Sequence, residues 1–153
     1  MLKKEIYFID MDGTVADFFS DKACLSKMMT KGYFRKLPKF AFADKVNELA
    51  TIKDVYILSA CVGTNFCKEE KINWVHEHIP NIPDNKIILC EIGTNKAELV
   101  KEIFGLKKLT KRHLLVDDYT KNLVEWELAG GQGIKKLNGM NNTSKQWKGV
   151  VWK

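Results

Sequence analysis

The stretch "YFIDMDGTVADFF", Tyr7 to Phe19, ends an apolar run with Asp10 and Asp12 and follows them at once with Gly13 and Thr14. Three more apolar runs have polar residues at or just past their ends: Ser59 after the second, Lys96 a short loop beyond the third, and Asp117 with Asp118 after the fourth. Three or four carboxylates, one hydroxyl and one ammonium facing a common space would repel one another unless a divalent cation and a phosphoryl group sat among them. Magnesium suits such a set, because it is a hard cation that takes oxygen ligands and shares its shell with substrate phosphate.

The elements that must bring these residues together are the runs themselves. Ile6 to Ile9, Val55 to Leu58, Ile87 to Cys90 and Leu114 to Val116 are continuous rather than alternating, the pattern of strands buried on both faces of a parallel sheet. Between them, Ala43, Val46 and Leu49 keep helical spacing, as do Ile72, Val75 and Ile79, then Leu99 with Ile103 and Val100 with Phe104. Thr94 or Asn95 can cap the helix that follows the third strand. Thr120 can cap another, carrying Leu123, Val124 and Leu128 and stopped at Gly130 and Gly131, with a fifth strand at Ile134. Alternating strands and helices predict an α/β layered fold, in which ligands bind beyond the carboxyl ends of the strands.

In that order, "DMDGT", the "ILSA" strand end, a lysine after the third strand and "LLVDD" resemble the four motifs of the haloacid dehalogenase superfamily of phosphotransferases, over Tyr7 to Asn122. Within it, "DMDGTVADF" and "LLVDDYTKN" are similar to the cytosolic type of 5'-deoxyribonucleotidase, the short chain being like its small bacterial and phage members; Thr14 and Val15 depart from that family's opening motif. The resemblance implies a Rossmann-like three-layer sandwich with a central parallel sheet and a small helical cap after the first strand. It also implies that Asp10 attacks phosphorus to form an aspartyl-phosphate. Asp12 would protonate the leaving oxygen, which asks for an acid that keeps its proton at neutral pH. Magnesium would then be held by Asp10, the Asp12 backbone carbonyl and Asp117 or Asp118, while Ser59 and Lys96 hold phosphoryl oxygens. Lys107, Lys108 and Lys111 compete with Lys96 for that role, and Gly13 gives the backbone room to approach phosphate, or is a plain turn glycine.

Residues 18–44 form the expected cap of a single domain spanning 1–153. This segment is rich in rings and cations, and Phe18, Phe19, Tyr33 or Phe34 can stack on a nucleobase or simply pack the cap. The expected substrate is a 5'-(deoxy)nucleoside monophosphate. A polynucleotide end or another small phosphoester is the alternative substrate, and a non-catalytic phosphate- or partner-binding domain is the alternative class.

The net charge of +6 over 153 residues suits an anionic ligand but is spread along the chain, and only Arg35 and Arg112 are arginines, so no stable nucleic-acid complex is expected. No run approaches the roughly 18 apolar residues of a membrane helix. The start lacks a cleavage site, and the four cysteines read as reduced cytosolic thiols, not as disulfides or a zinc site. The expected location is therefore cytoplasmic. His76 and His78, two apart on a helix, would diverge rather than share a metal. The tail from Leu137 begins as a polar loop and ends with Trp147 and Trp152, which would pack it onto the body.

Overall fold

The four apolar runs become strands, and two more strands follow them. β1 spans Ile6–Ile9, β2 Asp54–Cys61, β3 Ile87–Glu91, β4 His113–Asp117, β5 Gln132–Lys136 and β6 Val150–Trp152. The computed structural model describes residues 3–142 and 147–153, so residues 143–146 of the expected polar loop lie outside the described residues. All six strands pair in parallel in the order β3-β2-β1-β4-β5-β6. From β1 the chain builds outward through β2 and β3, then crosses to the other side for β4. The order therefore reverses at β1, where Ile9 lies opposite Ile57 on one side and Val116 on the other. A crevice at the carboxyl ends of β1 and β4 follows from that reversal.

Successive strand residues point to opposite faces, and here both faces are dry. Phe8, Leu58 and Leu115 belong to one buried cluster with residues of α4 (Lys96–Phe104) and α5 (Thr120–Leu128). Their neighbours Ile9, Ile57 and Val116 belong to the opposite cluster, with residues of α2 (Phe42–Leu49) and α3 (Cys67–His78). Helices on both faces of a parallel sheet make the three layers. The only other α-helix among the described residues, α1 (Cys24–Lys27), is a single turn within the expected cap.

The helix starts and stripes hold one success and two corrections. Asn95 caps α4 as expected, its side chain accepting the Glu98 N–H at 3.1 Å. Thr120 does not cap α5: Tyr119 is the capping residue and makes no side-chain bond, and the Thr120 hydroxyl instead accepts from Lys135 Nζ at 2.7 Å. Asp117 takes the helix-opening role, its Oδ1 accepting the Tyr119 N–H at 2.9 Å. On the same helix Leu128 is 83% exposed, while Trp126 is fully buried with its indole N–H donating to the His113 carbonyl. The buried stripe thus runs Leu123 to Trp126, at a spacing of three.

The segment 18–44 consists of two 3₁₀ turns, Phe18–Ser20 and Phe34–Lys36, with α1 between them, and its last three residues open α2. Its base is stitched where it leaves and rejoins the body: the Asp17 N–H donates to the Pro38 carbonyl and the Phe40 N–H to that of Val15, both at 2.8 Å. Phe18, Phe34 and Leu37 are buried in the cluster that contains Ile9. The tail packs back as well, since β6 extends the sheet and Trp152 meets Phe42 edge-on at 4.7 Å. None of the described helices is long and apolar enough to cross a membrane, and all four cysteines are buried free thiols.

Candidate active site

β1 hands over to a tight turn in which the Met11 carbonyl accepts the N–H groups of Thr14, Val15 and Ala16 at 2.9–3.1 Å. Gly13 sits in that turn at φ +82°, and a Cβ there would lie 2.3 Å from Asp118 Oδ2. Both the backbone conformation and the close approach therefore require glycine. The Asp10 N–H donates to the Val116 carbonyl at 2.9 Å, so register alone puts Asp10 beside Asp117.

Oxygens of Asp10, Asp117 and Asp118, all buried, lie within 4.8 Å of one another. Lys96, the first residue of α4 and 3% exposed, donates to Asp10 Oδ1 and to Asp117 Oδ2, each at 2.8 Å. Asn122 adds a bond to Asp117 Oδ2 at 2.9 Å. Asp118 Oδ2 accepts from Asn138 Nδ2 at 3.0 Å and from Asn141 Nδ2, so the tail loop secures the far side of the cluster.

Three carboxylates answered by one ammonium leave the cluster short of positive charge. Burial, followed by the charge of Asp10, pushes the Asp117 carboxyl up to about 6 against the pull of Lys96. Burial, then the charges of Asp10 and Asp117, pushes Asp118 up to about 8. Burial works against the Lys96 ammonium, but Asp10 and Asp117 outweigh it and hold its pKa above the usual lysine range. Hard oxygen donors, burial and unmet negative charge together fit a divalent cation of the magnesium type.

Asp12 lies apart from this cluster. Its Oδ2 meets Lys71 Nζ at 2.6 Å, and its Oδ1 is buried without a hydrogen-bond partner. Its side chain is 25% exposed and paired with the buried Lys71 ammonium. Lys71 also donates to Ser59 Oγ at 3.0 Å and to the Ala60 carbonyl at 2.6 Å. Burial opposes its charge too, and Asp12 beside it carries the pKa above the ordinary lysine value.

Asp10, Asp12, Ser59, Lys96, Asp117 and Asp118 all border one cavity of about 390 Å³. Phe18, Phe19 and Phe34 wall it from the 18–44 segment, whereas Tyr33 lines a different hollow and donates its hydroxyl to the Phe18 carbonyl at 3.2 Å. Of the competing lysines, Lys107 and Lys108 are exposed and Lys111 bonds the Gly131 carbonyl, all away from the carboxylates. His76 pairs with Asp84 while His78 packs on the Trp74 ring, so the two histidines do diverge.

Sequence reasoning missed Lys71, Asn138 and Asn141. Lys71 did leave a signal, because it occupies the buried face of α3 between Cys67 and Trp74, a position where a hydrophobe belongs. The two asparagines left none, standing in a polar loop like any other.

The family model described as "5' nucleotidase, deoxy (Pyrimidine), cytosolic type C protein" matches residues 22–142, a span that holds Ser59, Lys96, Asp117 and Asp118 and begins after Asp10 and Asp12. No curated protein matches in sequence. Among solved structures, the chain is similar to a D,D-heptose 1,7-bisphosphate phosphatase from B. bronchiseptica complexed with magnesium and phosphate. The TM-score is 0.70 at 12% identity, over 97% of this chain and 92% of that one. It is similar also to a haloacid dehalogenase-like hydrolase from Xanthomonas campestris (TM-score 0.63, 11% identity, 98% and 90% covered). A third is an enzyme of the same superfamily from Bacteroides thetaiotaomicron, complexed with magnesium and inorganic phosphate (TM-score 0.60, 14% identity, 94% and 98% covered). Identities this low speak for the fold.

Proposed function

The chain belongs to the family of cytosolic type C deoxy-pyrimidine 5' nucleotidases, and from that membership we propose that it hydrolyses 5'-(deoxy)nucleoside monophosphates with magnesium as its metal. The observation that carries this reading is the convergence of three buried carboxylates and Lys96 on one cavity walled by rings of the 18–44 segment, which would serve as a small cap. Asp10, Asp118 and the Asp12 backbone carbonyl would hold the metal, which supplies positive charge against the transferring phosphoryl oxygens. Asp117, already bonded by Lys96, Asn122 and the Tyr119 N–H, would orient its neighbours.

Asp10 attacks phosphorus in line, the bond to the nucleoside 5' oxygen breaks, and an aspartyl-phosphate forms. The leaving oxygen takes a proton from Asp12. Asp12 then withdraws a proton from water, which attacks the aspartyl-phosphate and frees inorganic phosphate. Lys96 donates two of its three N–H groups to carboxylates, leaving the third for a phosphoryl oxygen, and the Ser59 hydroxyl supplies another donor.

The test is phosphate release from nucleoside monophosphates, sugar phosphates and a 3'-phosphorylated oligonucleotide, with magnesium or EDTA. The expected outcome is magnesium-dependent turnover, greatest on the nucleotides, that falls by on the order of 10³-fold or more in Asp10→Asn. Turnover confined to oligonucleotide ends would transfer the substrate to that class. No turnover by folded, magnesium-loaded protein would leave a binding domain.

A further inference from the structure

Lys71 is 0% exposed and does not border the cavity, yet it stands directly behind two groups that do. An ammonium has three N–H donors, and here three acceptors take them: Asp12 Oδ2, Ser59 Oγ and the Ala60 carbonyl. The Phe34 ring closes the remaining side, with its centroid 4.7 Å from Nζ. Lys71 therefore has nothing left to offer a substrate. What it does offer is direction. Holding Asp12 by Oδ2 at 2.6 Å, with Oδ1 buried, fixes the rotation of the carboxylate at the cavity wall. Donating to Ser59 Oγ fills a lone pair of that hydroxyl, whose own O–H rests on the Ala60 carbonyl at 3.5 Å, a bond long enough to be exchanged for a phosphoryl oxygen.

We infer that Lys71 is a positioning residue of the phosphoryl-transfer step, acting through Asp12 and Ser59 without touching the substrate. The inference rests on the phosphatase reading above. The residue before it serves the cap: Glu70 accepts the Gly32 N–H at 2.9 Å and the Arg35 N–H at 3.2 Å. One turn of α3 thus grips the cap backbone with Glu70 and the proton donor with Lys71.

A residue that acts by aiming an acid matters in proportion to how badly the leaving group needs a proton. Single-turnover release of the leaving group is compared for a nucleoside monophosphate, whose alkoxide must be protonated, and para-nitrophenyl phosphate, whose phenolate need not be. In Lys71→Met the expected loss is about 100-fold on the nucleotide, with KM changed by less than about threefold, and less than about 10-fold on the aryl ester. In an Asp12→Asn background the same substitution is expected to cost less than about 10-fold more, as on the aryl ester, because only its hold on Ser59 remains. Equal losses on both esters, or full additivity with Asp12→Asn, would mean that Lys71 only supports the fold and would overturn the inference. If Lys71→Met fails to fold by circular dichroism, Lys71→Gln, which keeps a donor at the chain end, carries the same comparison and cycle. Wild-type protein that releases neither leaving group would bring down the phosphatase reading and the inference together, whereas an active wild type with equal losses would remove Lys71 alone.

Discussion

The cavity has two halves, each built around a buried lysine, and the two lysines are used in opposite ways. In the β1/β4 half, Lys96 faces Asp10 and Asp117, with Asp118 nearby, and keeps a donor free. In the β2/α3 half, Lys71 faces one carboxylate and two neutral acceptors and keeps nothing free. The first half is short of positive charge and could hold a cation. In the second, every donor of the lysine is taken. Residue type and burial are the same in both; the count of acceptors against donors separates a group that meets ligand from one that aims other groups.

The sharpest way to break this contrast is to remove charge from the deficient half. Asp118→Asn is expected to lower turnover by on the order of 10²–10³-fold and to weaken magnesium binding, measured by titration calorimetry. If magnesium binds the variant as it binds wild type, Asp118 is not among the ligands.

The next effect is on stability. Asp117 and Asp118 titrate in the folded state at about 6 and about 8, above their ordinary carboxylate value of 3.8, so without metal the folded state binds more protons than the unfolded. Their contribution is present below pH ~4 and is lost as pH rises through those folded values. In EDTA the melting temperature should fall between about pH 5 and 8 from this source, and the gap between magnesium and EDTA should widen over the same interval. At about 100 times its Kd, magnesium should raise the melting temperature by ~5–10 °C near neutral pH. A gap that is constant with pH would mean that the carboxylates are not the metal's competitors for protons.

The smallest effect sharpens the contrast between chemistry and recognition. Phe19→Ala is expected to lower kcat/KM for nucleoside monophosphates by about 10-fold through lost base stacking, and to leave small sugar phosphates within about twofold. Equal loss on both classes would return Phe19 to a packing role.

The strand-end half of the site was legible because its residues terminate apolar runs, and in a parallel sheet the end of a run is a place in space. Asp10, Ser59, Asp117 and Asp118 needed nothing further, and Lys96 needed only a short loop and a capping Asn95. Lys71 was not legible in the same way, because its reach to Asp12, 59 residues away, depends on how α3 is rotated against the sheet. Asn138 and Asn141 depend on the path of a loop that no periodicity encodes. The same limit explains α5: its hydrophobes Val124 and Leu128 suggested one stripe, but Trp126, with more surface to bury and a polar tip satisfied by His113, turned the helix to a different face. The rings of 18–44 were legible as a group, but not that Tyr33 faces another hollow.

The strand order also sets a timetable for synthesis. Central strand β1 is made first but pairs with β4, Ile6 opposite His113, across roughly a hundred residues of intervening chain. At ~5–20 residues per second on a ribosome, one edge of β1 stays unsatisfied for about 5–20 s. Asp10 emerges early and remains chemically idle throughout that interval, since the carboxylates and asparagines that complete its surroundings come afterwards. A nascent chain stalled before β4 would expose an apolar strand edge and be a target for chaperones, and it would hydrolyse nothing.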